Sequence, residues 1–303
     1  MENAAPPEAP SPARWLIAAA LIAVYVIWGS TYLVMRVALE TIPPFMMGGS
    51  RFLIAGALLF AFLRLRGAPS PSRVEWIACA KVGVLLLVIG NGFVAYAEQR
   101  VSSSVAAMVV ATMPLWMALL SSFTGQRPSR LEWIGLLLGF VGVALLQLSG
   151  QIDASPWMVI TLLFAPVSWA AGSVWSKKLP LPKGPMATAA EMLIGGTSML
   201  IVSLARGEHV VGAASARSIG ALAFLIGFGS IVAFSAYGFL LRSTRPAIAT
   251  SYAYVNPVVA LVLGVALGGE HAGAMTWIAA AIILAGVVIL SIQRARSAPP
   301  KPA

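Results

Sequence analysis

Apolar residues in this chain gather into runs of about twenty, divided by short segments rich in proline, glycine and charge. At a rise of ~1.5 Å per residue, a helix of that length crosses the hydrocarbon of a bilayer. The pattern predicts ten spans: Trp15–Met35, Phe45–Leu63, Trp76–Gln99, Ser104–Phe123, Leu131–Leu148, Trp157–Ser176, Met186–Ala205, Ile219–Leu241, Ala247–Leu267 and Met275–Ile292. Connections such as Ile42-Pro43-Pro44, Gly67–Pro71 and Pro180–Pro185 are too short to hold a soluble domain. The expected fold is an all-α polytopic membrane protein with ten transmembrane helices.

The runs are not uniformly apolar. Tyr25 to Arg36 reads YVIWGSTYLVMR, so Trp28, Gly29, Ser30, Thr31 and Tyr32 fall inside the first span. Small and polar groups at that depth face protein or a cavity rather than lipid. A related stretch, Val167 to Trp175 (VSWAAGSVW), follows about 140 residues later. Met46–Gly56 lies over Met186–Gly196 at an offset of 140, and Pro114 over Pro257 at 143. Trp133, Gly139 and Gly142 lie over Trp277, Ile283 and Gly286 at 144. The drift corresponds to a few short insertions. Five spans per half is an odd number, so the halves insert in opposite directions. That is an inverted 5+5 repeat, and such repeats carry their substrate site between the halves near mid-membrane. The expected units are a disordered N-terminal segment 1–14, five-helix repeats 15–149 and 157–293, and a tail 294–303.

Composition sharpens the class. Of 303 residues, 59% are hydrophobic and 10% charged, against roughly 25% charged in a soluble domain. Mean hydropathy is +0.88. The net charge of +10 does not point to nucleic acid, because the bases sit in short loops rather than on one soluble face. Placing both termini in the cytoplasm puts fourteen Lys and Arg inside and four outside (Arg36, Arg100, Arg206, Arg217), as the positive-inside rule requires. Glu2 and Glu8 make a poor signal-peptide start, so the first span is read as uncleaved. The single cysteine, Cys79, has no partner for an intramolecular disulfide, and no His/Cys cluster has metal spacing.

With Trp28-Gly29-Ser30 in the first span, Arg51-Phe52 in the second, Pro114 and Pro257, and Gly269-Glu270 after the ninth, the chain resembles the drug/metabolite transporter superfamily in its EamA-type exporter branch. The opening half is particularly similar to the YedA group of exporters. The resemblance covers Trp15 to Ile292 and implies export of small metabolites or drugs across a bacterial inner membrane. It also implies fifth and tenth helices outside the central cavity. The first half departs from the pattern, with Gly125-Gln126 where Gly-Glu is usual.

Charges inside spans require an explanation. Arg51 lies about two turns in from the outer end of its span and Glu98 about one turn in, at similar depth. Two readings stand: an ion pair tying the second and third spans, or a substrate or proton site. Glu191, the repeat counterpart of Arg51, lies near the inner end, where Lys177, Lys178 or Lys183 neutralises it in the structural reading. Helical spacing places polar and aromatic residues on shared faces: Trp28 with Tyr32; Asn91 with Glu98, flanked by Tyr96 and Gln99; Thr112 with Trp116; Trp169 with Ser173; Phe234 with Tyr237; Tyr252 with Asn256. Together they predict an aromatic substrate cavity with a few hydrogen-bonding groups, suited to amino-acid-like, planar or cationic solutes. Trp15, Trp76, Trp133, Trp157 and Trp277 stand at span ends and are assigned to the interfacial belt. Pro114 and Pro257 are expected to kink their helices as gates.

These features point to a secondary or facilitative transporter working by alternating access. No Walker A sequence occurs. No acidic residue lies in the first span, so proton coupling falls to Glu98 or Glu191 or is absent. A membrane-embedded enzyme lacks its parts: no span holds His, no HExxH occurs, and Asp153 is the only Asp. A channel would need a repeated filter or charged ring. The expected partners are a small-molecule substrate and lipid, with no metal, cofactor or nucleic acid. Because the duplication supplies the two-fold, a monomer suffices.

Reporter fusions after Gly67, Lys183 and Ser297 should read cytoplasmic, and fusions after Asp153 and Gly207 external. A cytoplasmic signal at Asp153 would break the inverted repeat.

Overall fold

The computed structural model describes residues 14–123, 129–148, 155–243 and 252–297. Residues 1–13, the Gly125-Gln126 turn, Asp153 and the end of the tail lie outside them. Every regular element among the described residues is helical. We label α1 Arg14–Ala38, α2 Pro44–Leu65, α3 Arg73–Ala97, α4 in two pieces (Ser103–Val110 and Met113–Ser122), and α5 Arg130–Leu148. The second half has α6 Pro156–Ser176, α7 Pro185–Ala205, α8 in three continuous pieces (Ala216–Phe224, Leu225–Val232, Ala233–Ser243), α9 Tyr252–Ala266 and α10 Ala274–Ser297. Among the described residues, α1, α2, α3, α6, α7 and α8 are long and apolar enough to cross a membrane, and the others are shorter apolar helices.

Local chemistry sets the ends. Ser72 and Glu75 form a reciprocal capping box at the start of α3. Ser102, Ser155 and Ser215 cap α4, α6 and α8 through their side chains. Outward faces carry residues such as Ile22, Leu58, Phe62 and Ile201, all exposed, which suits hydrocarbon rather than water.

The helices pack in a pattern that follows the duplication. α2 runs along α7, and α5 along α10. α1 lies against α8 and α9, while α6 lies against α3 and α4. Adding five to each label, modulo ten, maps this set onto itself. Small residues let the paired backbones approach: a Cβ on Gly56 of α2 would stand 2.8 Å from the Leu193 nitrogen of α7. A Cβ on Gly286 of α10 would stand 2.6 Å from the Gly135 oxygen of α5. In lipid such packing replaces the missing hydrophobic drive between helices.

Two features depart from the predicted regular helices. The fourth span is not one helix: it stops at Val110, turns through Ala111 and Thr112, and resumes at Met113. Pro114 has no N–H to donate and crowds the carbonyl four residues back, which disfavours an unbroken helix at this point. Thr112 Oγ1 donates to the Val109 oxygen at the break. Pro257 sits within α9 as expected, and Pro166 lies within α6 as well. The second departure is a wider, π-helical stretch in α3, Val84–Asn91, matched in α8 by Leu225–Val232 at an offset of 141. A π turn uncouples carbonyls from the α ladder and leaves them for side chains. The Leu85 oxygen accepts from Ser168 Oγ, the Leu86 oxygen from Asn91 Nδ2, and the Gly229 oxygen from Trp28 Nε1.

The end predicted to be external is held by polar contacts between helices. Glu270, in the loop between α9 and α10, accepts from the backbone N–H and hydroxyl of both Ser103 and Ser104 at the start of α4. It also accepts from Arg36 Nη1 at 2.7 Å, at the end of α1. Glu208, after α7, accepts from the Met46 N–H at 2.9 Å in the first turn of α2. Each carboxylate meets a helix N-terminus, where unpaired N–H groups and the helix dipole favour a negative charge. Ser218 Oγ donates to the Val37 oxygen, joining α8 to α1. Burial raises the Glu270 carboxyl, but the bonds from Ser103 and Ser104 outweigh it and hold that carboxyl below the usual carboxylate range.

The sign of the pH dependence follows. A lowered folded value adds stability above the ordinary Glu pKa of about 4.3, and that stability is lost as pH falls through the folded value. Glu270→Gln should lower thermal stability in detergent at neutral pH by about 1–3 kcal/mol. The gap from wild type should narrow on acidification below ~pH 4. Equal stability at neutral pH would remove Glu270 from this role.

Candidate functional site

One cavity lies between the halves. Its wall takes Trp28, Thr31, Tyr32 and Met35 from α1, Arg51 from α2, and Asn91 and Val94 from α3. The α4 break contributes Val110, Ala111 and Met113; Trp169 of α6, Phe234 of α8, and Tyr252, Asn256 and Pro257 of α9 close it. Six of the twelve substrate residues expected from helical spacing thus meet here: Trp28, Tyr32, Asn91, Trp169, Tyr252 and Asn256.

The aromatic wall is ordered by its polar handles. Trp28 fixes its ring by donating from Nε1 to the Gly229 oxygen at 3.1 Å. Phe234 and Tyr252 then meet it edge-on at centroid distances of 5.1 and 4.9 Å, the geometry preferred by aromatic quadrupoles. Trp169, the repeat counterpart of Trp28, lies over Gly90 in the π-helical stretch of α3, where a Cβ would stand 3.2 Å from its ring. Asn256 is buried, and with Nδ2 donating to the Tyr25 and Tyr252 oxygens at 3.3 Å its amide is satisfied by α1 and α9. Asn91 donates to the Leu86 oxygen.

Other predicted residues lie elsewhere. Tyr237 stands behind the wall, 5.3 Å from Trp28 and 5.5 Å from Tyr252 by ring centroid. Tyr96 packs on Phe45, and the Arg206 guanidinium sits 4.9 Å from its ring. Gln99 donates to the Tyr96 oxygen and lines a second, more polar cavity at the predicted external end. Thr112 is buried in the α4 break. Trp116 packs edge-on against Phe140 of α5 at 5.1 Å. Ser173 does not line the central cavity, and its carbonyl accepts from Ser176 Oγ. Pro114 opens the second piece of α4. Glu191 lies in α7 with its backbone against Gly83 of α3. The Trp residues assigned to the belt at positions 15, 133, 157 and 277 are exposed.

Arg51 and Glu98 require a correction. They do not form a contact ion pair: neither takes part in a bridge within 4 Å among the described residues. Arg51 is buried, donates from Nε to Ser230 Oγ of α8 at 2.9 Å, and lies 4.7 Å from the Phe52 ring centroid. Glu98 caps α3 and faces the second cavity beside Leu33, Arg36 and Gln99. Neither of its carboxyl oxygens has a hydrogen-bond partner among the described residues. Attraction between the two acts across a distance rather than in contact.

The sequence reading did not name Glu270, Ser103, Ser104 or Arg36 as a cluster, nor Ser230 and Ser168 as anchors. Gly269-Glu270 and the serine triplet Ser102-Ser103-Ser104 were visible signals, but nothing local joins them. Among the described residues, no group of three or more His, Cys, Asp or Glu could hold a metal ion.

The family model of the EamA-like transporter family matches the chain twice, over residues 14–148 and 156–292. The chain is similar to "Uncharacterized inner membrane transporter YedA" of Escherichia coli (strain K12), 46% identical over 276 residues, covering 91% of this chain and 90% of that protein. It is 24% identical to "Probable amino-acid metabolite efflux pump" of the same organism, over 88% of this chain and 91% of that one. A solved structure at 20% identity matches the fold with a TM-score of 0.64, covering 93% of this chain and 99% of its own.

Without a contact pair to break, Glu98→Gln should leave the yield of monodisperse, detergent-extracted protein near wild type. Loss of one partner from a buried pair would instead cost about 3–5 kcal/mol. A collapse in yield that Arg51→Ala restores in the double variant would reinstate the pair.

Proposed function

The chain belongs to the EamA-like transporter family, and from that premise we propose that it exports small organic solutes from the cytoplasm by alternating access. Membership makes it a multi-pass transporter of the inner membrane rather than an enzyme. The proposed form has ten crossings, both termini cytoplasmic, and two inverted five-helix repeats, 15–149 and 157–293. A monomer suffices for it.

The observation that carries the reading is the cavity itself. Its wall is built from both halves, and matched aromatic residues, Trp28 and Trp169, face it from α1 and α6. In an inverted repeat the solute site belongs at that interface, and rocking of one half against the other exposes it to each side in turn. The packing pattern of the helices under exchange of the halves supports the same symmetry. The α4 break at Ala111-Thr112 and Pro257 within α9 border the cavity. We assign them as the hinges through which it opens. Aromatic faces with sparse amide groups suit amino-acid-like or aromatic solutes. A relative named as an amino-acid metabolite efflux pump supports that class.

Trp28→Ala, Trp169→Ala and Asn256→Ala should each cut solute efflux from loaded cells about tenfold or more at unchanged membrane abundance. Trp133→Ala and Trp277→Ala, on the exposed belt, should leave efflux within about twofold. Equal behaviour of the two groups would sink the assignment of the cavity as the solute site.

A further inference from the structure

The central cavity carries a fixed positive charge. Arg51 is 4% exposed, yet it lines the cavity between α1, α3, α8 and α9. Its Nε is committed to Ser230 Oγ. Among the described residues, its two terminal amino groups have no hydrogen-bond acceptor and no carboxylate within 4 Å. A buried cation without a contacting anion is costly, so it is kept where something else can supply one.

We propose that Arg51 binds a carboxylate of the transported solute, so that the cavity selects apolar or aromatic anions and zwitterions and rejects simple organic cations. This rests on the reading of the cavity as the solute site and narrows the class of solute. It also reverses the preference for cations that aromatic walls alone suggest.

The geometry supports a prepared anion site rather than a stray charge. Ser230 holds Nε and Phe52 lies beside the guanidinium, which leaves the two terminal amino groups as a fork. That fork matches a carboxylate in bidentate geometry. Gly229 leaves room for it: a Cβ there would stand 3.2 Å from Nη2. The same glycine's oxygen holds the Trp28 indole. One π-helical turn of α8 therefore positions both the cationic pole and the aromatic wall. A solute with a carboxylate at one end and a planar apolar body would span them. Glu98 faces the second cavity and so does not compete for the fork by contact. Tyr32, also on the wall, offers a further hydroxyl.

The test uses purified full-length protein and three probes of similar shape: 3-phenylpropanoate, L-phenylalanine and L-phenylalaninamide. Titration calorimetry should give affinities for the two carboxylates about tenfold or more above that for the amide. Arg51→Gln should remove that preference by weakening the carboxylates and sparing the amide, and Arg51→Lys should keep part of it. Should Arg51→Gln fail to fold, the wild-type ratio still decides, together with Ser230→Ala. That variant keeps the charge but frees the fork, and should weaken the carboxylates selectively. Equal binding of amide and carboxylates, a preference that survives Arg51→Gln, or no binding of either carboxylate to wild type would each overturn the proposal. The transporter reading falls separately, through unchanged efflux in the Trp28 and Trp169 variants.

Discussion

Hydrocarbon offers no hydrogen bonds, and this constraint orders the whole molecule. A polar group within the span of the bilayer must find a partner in the protein or border an aqueous space. Ser30, Thr31, Thr112, Thr161 and Ser176 donate to carbonyls three residues back in their own helices. Helix starts that lie against other helices receive carboxylates instead of water, from Glu270 and Glu208. The π turns free carbonyls and are answered by Ser168, Asn91 and Trp28. Against that background, the terminal amino groups of Arg51 and the carboxyl of Glu98 stand out. Both residues border cavities, and the carboxyl oxygens of Glu98 are themselves buried.

The duplication supplies a scaffold, and the central cavity departs from it. The π turns, the terminal glycines Gly67 and Gly207, and the α2–α7 and α5–α10 pairings obey the repeat. The cavity side chains do not. Arg51 matches Glu191 in the repeat, so the two halves carry opposite charges at corresponding places. Trp28 is hydrogen-bonded to a π carbonyl, whereas its counterpart Trp169 packs over Gly90 while the neighbouring Ser168 makes the bond. A symmetric cavity would bind a solute in two opposed orientations. Of the matched pair, Arg51 lines the central cavity and Glu191 does not, so the proposed site would have a direction.

Much of this was legible in the sequence, because membrane crossing is written in composition. Apolar run lengths located the described helices to within a few residues, and polar positions within the runs named six residues of the cavity wall. What was not legible had two physical causes. Counting residues along a helix fixes depth but not the direction a side chain faces. Seven residues separate Asn91 and Glu98, which predicts a shared face in a regular helix. The same seven residues also rise about 10.5 Å along the axis, so Asn91 and Glu98 line different cavities. The Arg51–Glu98 expectation failed because similar depth on two helices does not bring side chains face to face. The second cause is separation: Ser103 and Glu270 are 167 residues apart, and no local pattern joins them.

The placement of the polar contacts bears on how such a cavity would be emptied. A solute shifts a conformational equilibrium only by the difference in its affinity for the two states. In the proposed cycle that difference must come from contacts that both halves make with the solute at once. Arg51 belongs to the first half and Ser230, which orients it, to the second. Trp28 likewise belongs to the first half and takes its orientation from Gly229 in the second. Moving one half against the other would therefore disturb the anion pole and the aromatic wall together. The Glu270 cluster crosses the same boundary, joining α1 and α4 to the loop after α9. Its five donors make opening at that end costly unless the site's own contacts change in compensation. Coupling between site and closure thus needs no separate relay, because α1, α4 and α9 border the cavity and also lead into the cluster.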